Sequence, residues 1–345
     1  MNWKKEYISF GEKMKNKKIV IVPVFCDTHL IKYQIPNIID TINPDVIIYN
    51  EGMFPVGPES NTLVDENFLK KYTLNGEGKR GFDYLELKQI VKDAQEKYEG
   101  VKIILNEMEY TDDEVTPTSV IGSATRNYIL ACSNFEELGI EVNEGDYIFP
   151  FEGDVFHHED SKEEIEGYLK QLEPNQGFRS KWIDFVGNQY YGEKYSLKPF
   201  LLEDPSWAEQ GRSRKICIRF GDMETYQEIL TQFEKNVYPM LFPTDLTTYH
   251  YAFWRPGVYK DLRSAQLNRY NGYWESFYNG VDKVYDNKYF EIDVRPVQEE
   301  HLTSRYISFF DISHPKHIKE HICYDEELDE KTKQQILKNK FIYKQ

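Results

Sequence analysis

Between residues 18 and 150, short runs of β-branched residues alternate with longer segments of helical spacing, and this alternation restricts the fold more than any other feature. Lys18–Val24 (KIVIVPV), Asp45–Tyr49 (DVIIY), Val101–Leu105 (VKIIL) and Tyr147–Phe151 read as strands buried on both faces. Thr28–Thr41, Phe82–Tyr98 and Ser119–Leu138 read as the helices between them. Residues 50–80 hold several Gly and Pro and read as a long loop; residues 111–118 read as a polar one. Units of this kind build a parallel sheet with helices packed on it. The expectation is an α/β fold with a Rossmann-type, mostly parallel central sheet flanked by helices.

After residue 160 the texture changes. Ser161-Lys-Glu-Glu164 is a capping-box pattern opening a helix over Lys162–Leu172. Strands are expected at Lys181–Asn188, Leu197–Leu202, Lys215–Phe220 and Tyr249–Trp254, and helices at Met223–Lys235 and Val258–Tyr278. The C-terminal part thus reads as mixed α+β, ending in a charged, helical tail over 324–345. No repeat or linker separates the parts. The chain reads as one domain in two halves, 1–172 and 173–285, with an extension over 286–345.

Aromatics make up 15% of the 345 residues and hydrophobic residues 40%, enough for a packed core rather than disorder. The formal net charge of −16 disfavours a protein that tracks nucleic-acid phosphates, because such proteins carry a basic field. Cysteines at 26, 132, 217 and 323 have no CxxC spacing, so reduced thiols are expected rather than a disulfide framework or zinc knuckle. The N-terminus lacks an apolar signal region, and no apolar run approaches the roughly 20 residues of a membrane helix. A soluble, cytoplasmic protein is the expectation. The abundance of Lys, Asn, Ile and Tyr fits an AT-rich genome, bacterial or viral, the latter placing the protein in a host cytoplasm.

The feature most suggestive of chemistry is Glu152-Gly153-Asp154, where the fourth apolar run ends. Ligands of open α/β sheets bind beyond the carboxyl ends of the strands, so the position gives these acids more weight than a polar turn would carry. Two carboxylates one residue apart can share a divalent ion, and Gly153 lets the backbone turn and a ligand come close. His157 and His158 follow, but adjacent side chains on an extended segment point apart, so at most one faces the same side.

The surrounding residues resemble the GT-A family of nucleotide-sugar glycosyltransferases. Thr125-Arg126-Asn127 is similar to the family's "ARN" helix. Gly145-Asp146-Tyr147-Ile148-Phe149 is similar to its strand entry, and Glu152-Gly153-Asp154 stands where its acidic DxD motif would stand. KIVIVPVFCDTHLIKYQIPNIID and DVIIYNEG look like its first two strands. The resemblance covers about residues 18–172 and departs from the pattern at Glu152, where the family has Asp. It implies a GT-A-like fold, with 1–172 the donor-binding half and 173–285 the acceptor half. It also implies a Mn²⁺ or Mg²⁺ ion held by Asp154 and Glu152, and a nucleotide-sugar donor, UDP-linked by preference. Pro23 at the end of the first strand, Asn50 and Glu51 at the end of the second, and Arg126 would contact the donor, as would Glu152. Family members often add a late histidine to the metal, and His250 in Thr-Tyr-His250-Tyr-Ala-Phe-Trp is the candidate here. Basic residues Arg255, Lys260, Arg263 and Arg269 follow it. Leu201-Leu202-Glu203-Asp204-Pro205 is similar to the family's "ED" motif, making Asp204 the first choice and Glu203 the second for the base that deprotonates an acceptor hydroxyl.

The expected reaction is metal-dependent transfer of a sugar to an acceptor hydroxyl on a glycan, metabolite, protein or modified nucleic-acid base. Two alternatives stand beside it. One is a nucleotidyltransferase making nucleotide sugars, disfavoured because residues 23–33 contain no glycine; the other is a non-catalytic binding module on a degenerate transferase scaffold.

Overall fold

A computed structural model describes residues 16–51, 66–76, 80–107, 135–185, 191–194, 214–231, 241–251, 254–267, 307–309 and 313–324. The first part runs β1 (Lys18–Val24), α1 (Thr28–Ile42), β2 (Val46–Glu51), α2 (Glu66–Tyr72), α3 (Tyr84–Lys97), β3 (Lys102–Glu107) and β4 (Tyr147–Pro150). It continues as β5 (Val155–His157), α4 (Ser161–Leu169), β6 (Gly177–Phe185), β7 (Tyr191–Lys194), β8 (Arg214–Arg219), α5 (Met223–Thr231), β9 (Leu241–His250), α6 (Val258–Leu267) and β10 (Ile307–Phe309). The strands join one sheet in the order β10-β7-β6-β8-β4-β1-β2-β3, with β9 bridging β6 and β5 off that path.

The block β3-β2-β1-β4 is parallel throughout. β4 then meets β8 antiparallel, and beyond it the sheet is mixed. The result is a Rossmann-like α/β architecture. Its strand order reverses between β1 and β4, and a crevice opens at such a switch point beyond the strands' carboxyl ends. One sheet therefore takes strands from all three spans, 1–172, 173–285 and 286–345.

The period-2 geometry of β1 explains why its sequence is apolar from Ile19 onward. Val20, Val22 and Val24 face one layer, where they meet Ile31, Ile35, Ile38 and Ile42 of α1 and Leu87, Val91 and Ala94 of α3. Ile19 and Ile21 face the other, with Ile148, Ile218 and the α5 residues Tyr226, Ile229 and Leu230. All five β1 residues are fully buried. Truncating either isoleucine to Ala would cost about 2–5 kcal/mol.

The strand Lys18–Val24 lies where its sequence places it, and α1, α3 and α4 fall within a few residues of expectation. Other readings shift. The region read as a loop over 50–80 contains α2. The aromatic strand expected at Tyr249–Trp254 is instead Leu241–His250, because Tyr251 turns to donate its N–H to the carbonyl of Asp154 (2.9 Å) and Trp254 closes a turn onto Tyr251. Residues 135–140, at the end of the span where a helix is expected, form a turn with Schellman-type bonding. Ile140 donates to Phe135 (2.8 Å), Gly139 donates to Glu136 (2.9 Å), and Gly139 takes a φ of 63°. Residues 119–134, 197–202 and 325–345 lie outside the described residues.

Candidate metal centre

Three elements converge at the switch point. β1 ends at Val24 and leads through Cys26 and Asp27 into α1. β4 ends at Pro150 and leads through Glu152-Gly153-Asp154 into β5. β9 delivers His250, whose register partner on β5 is Val155, directly after Asp154. Pairing of β5 with β9, together with the Tyr251 N–H on the Asp154 carbonyl, fixes His250 beside the acid pair.

The geometry is that of a small donor cage. His250 Nε2 lies 3.0 Å from Asp154 Oδ1 and 3.8 Å from Glu152 Oε2. One donor atom from each of the three residues falls within 4.8 Å of the others, so the group is able to hold a metal ion. Asp154 and His250 are buried, and Glu152 is the partly open member, its side chain 29% exposed. Two carboxylates and an imidazole suit Mn²⁺ and related divalent ions.

A second layer braces the cage. Arg255, also buried, places Nη2 3.0 Å from Asp154 Oδ2 and Nη1 2.6 Å from Asp27 Oδ1. Burial pushes the Asp27 carboxyl up from its usual range and Asp154 adds to the rise, while Arg255 opposes both. Gly153 is what lets Asp27 fit: a Cβ there would stand 3.1 Å from both the Cβ and Oδ2 of Asp27. The close approach is thus made by the protein's own carboxylate. Cys26, just before Asp27, has a φ of 57°, an uncommon strain for a non-glycine residue at a strand-to-helix turn.

Helix α1 holds the acid turn from behind with buried amides one turn apart. Gln34 donates to the carbonyls of Glu152 and Val155. Asn37 donates to the His157 carbonyl (2.7 Å) and accepts from its N–H (3.0 Å), acting as a surrogate strand edge for β5. The first amide of α1, that of Thr28, is taken by the Asp83 carboxylate at 3.0 Å.

The remaining expected residues fall as follows. Pro23 and Asn50 are register partners near the carboxyl ends of β1 and β2, and Asn50 Oδ1 accepts from Asn106 (2.8 Å). Glu51, buried, binds Arg80 and the Gly81 N–H. Neither His157 nor His158 joins the cage: His157 is buried with its ring edge-on to Phe151, and His158 Nδ1 faces Asp160 Oδ2 at 3.3 Å. Arg126, Glu203 and Asp204 lie outside the described residues. Asp27, Gln34 and Asn37 are residues that sequence reasoning does not single out, and Arg255 enters it only as one of the basic residues after His250. The usable signal for Asp27 was its place just past the first strand, at the same sheet end as the acids. Among the described residues, no helix is long and apolar enough to cross a membrane.

No family model matches the chain, and no curated protein matches it. Among solved structures it has a likeness to mannose-6-phosphate isomerase from Helicobacter pylori, at 8% identity, over 68% of this chain and 86% of that one. The TM-score is 0.31, too low for the likeness to bear on fold or activity.

Proposed function

We propose that the protein is a metal-dependent glycosyltransferase of the GT-A type, moving a sugar from a nucleotide diphosphate donor, UDP-linked by preference, to an acceptor hydroxyl. The observation that carries this reading is the cage of Glu152, Asp154 and His250 at the carboxyl end of the β1–β4 switch point. A divalent ion held there, when bound, would neutralise charge on a diphosphate leaving group.

The chain's own charges favour a metal-bridged diphosphate over a phosphate cradled by backbone. In glycine-rich nucleotide sites, free amides at a helix N-terminus receive the anion. Here the Thr28 amide is already bonded to Asp83, and Asp27 stands beside it, so the start of α1 repels a bare anion. The β1–α1 turn also carries Cys26 at a left-handed φ instead of a glycine, which weighs against the nucleotidyltransferase alternative. In this reading Asp154 and His250 orient the ion, and Glu152, the open member, faces the donor. Asp204, with Glu203 second, removes the acceptor proton, an assignment that rests on the resemblance alone.

The test is thermal stabilisation by a panel of nucleotide diphosphates and nucleotide sugars with Mn²⁺, Mg²⁺ or EDTA. A ligand that binds only the folded state raises the melting temperature by mass action. A rise with one nucleotide that disappears in EDTA and in Asp154→Ala supports the reading and names the donor. A flat panel overturns it.

A further inference from the structure

Arg255 is an unusual neighbour for a cation centre. Its guanidinium is buried, reaches the outer oxygen of Asp154 at 3.0 Å, and is tied on the other side to Asp27 at 2.6 Å. Asp154 offers its other oxygen to His250 at 3.0 Å, so one carboxylate is shared between a permanent positive charge and the cage. An Arg cannot shed its proton, so its hold on Oδ2 is never released by deprotonation. With the three carboxyls ionised and His250 neutral, the four charged residues Asp27, Glu152, Asp154 and Arg255 carry a formal charge of minus two, the complement of one divalent ion.

We infer that Arg255 is a built-in competitor of the cation, setting the affinity of the Glu152–Asp154–His250 centre, and that Asp27 holds it back. Two effects oppose each other. Arg255 helps fix the Asp154 rotamer, which aids metal binding. It also places a like charge within ångströms of the ion, in a buried site where screening is weak. The second effect wins because Asp154 is positioned without Arg255. Its main chain is held by the Tyr251 N–H, and β5 is locked in register with β9 and braced by Asn37. Asp27 anchors the guanidinium at the β1–α1 turn and offsets its charge. Removing Asp27 would leave Arg255 free to pair fully with Asp154. The two residues should therefore act on metal affinity with opposite signs, which a merely structural role would not produce.

The inference rests on the metal centre of the reading above, and calorimetric titration of the full chain with Mn²⁺ separates the two. Arg255→Gln is expected to bind Mn²⁺ about tenfold more tightly than the natural chain, and Asp27→Asn about tenfold more weakly. The double variant should return close to the starting affinity. Arg255→Lys keeps the charge and should not tighten binding, which guards against a Gln variant that fails to fold; melting in EDTA checks each variant. If Arg255→Gln and Asp27→Asn both weaken binding, Arg255 is a brace and the inference is wrong. Equal Mn²⁺ affinity in all variants also overturns it. If neither the natural chain nor Asp154→Ala binds Mn²⁺ measurably, the metal centre itself fails, and the inference with it.

Discussion

His250 Nε2 sits 3.0 Å from Asp154 Oδ1 because the residue after Asp154, Val155, is the register partner of His250 across the β5–β9 pair. Two residues far apart in sequence are joined by a strand pairing, so the contact is as rigid as the sheet. Asp154 also bonds Arg255, and all three side chains are buried.

Replacing Asp154 with Ala should therefore act twice. It takes one carboxylate partner from Arg255 and from His250 in a buried site, and breaking a buried pair in this way costs about 3 kcal/mol. It also removes the central donor of the cage. Urea unfolding should register the first effect, and loss of the Mn²⁺-dependent rise in melting temperature the second. Asp154→Asn keeps a hydrogen-bonding side chain and should recover part of the stability but none of the metal response.

Asn37→Leu should be among the more damaging substitutions remote from the cage. It leaves the N–H and carbonyl of His157 without their side-chain partner in a buried place, at about 2–4 kcal/mol for the two groups. Because β5 is then loosened against α1, Mn²⁺ affinity should fall together with stability. Denaturant melts and Mn²⁺ titration on the same preparation check this.

Gly153→Ala tests the close approach of Asp27. The added methyl meets the Asp27 Cβ, which cannot swing away without moving the β1–α1 turn. Overpacking of this kind costs about 1–3 kcal/mol. Asp27→Gly costs stability on its own, because it takes a carboxylate partner from the buried Arg255, but the two losses should be less than additive, a coupling visible in a double-mutant cycle.

Acid should destabilise the fold through buried histidines. Burial lowers His157 to about 4 and His321 to about 4. Unfolded, each binds a proton near the ordinary value of about 6.5. Between those values the unfolded chain holds more protons than the native one, so stability is full above about pH 6.5 and falls as the pH drops toward 4. At pH 4.5 each histidine should have cost about 2 kcal/mol relative to pH 7. His157→Gln should flatten its share of the slope in urea melts across that range, whatever it does to stability at pH 7.

The first layer of the fold was readable because its constraints are local. A strand buried on both faces must be apolar at every position, as Lys18–Val24 nearly is, and isoleucines at 31, 35, 38 and 42 follow one face of a helix. The acids at 152 and 154 were readable because a strand that ends on two carboxylates needs a reason. Their union with His250 was reached through a family likeness, since no spacing rule joins β9 to β5. Arg255 was visible only as one of several basic residues after His250, and Asp27 escaped notice because a helix-capping acid is an ordinary explanation for it in one dimension. Only the assembled sheet, which brings the turn after β1 to the segment after β9, sets them 2.6 Å apart. The end of the aromatic strand at His250 was hidden for a similar reason, because the Tyr251 N–H bonds to the Asp154 carbonyl in the acid turn before β5.

His250 reaches the cage only on β9, and β9 is anchored along β6 as well as on β5. A nascent chain leaving the ribosome therefore displays both acids long before it can close the centre around an ion. The same holds for a proteolytic fragment that ends before residue 241. Under the proposed function, cation binding would be a chemical stamp of completed assembly, carried only by molecules whose two halves have found each other.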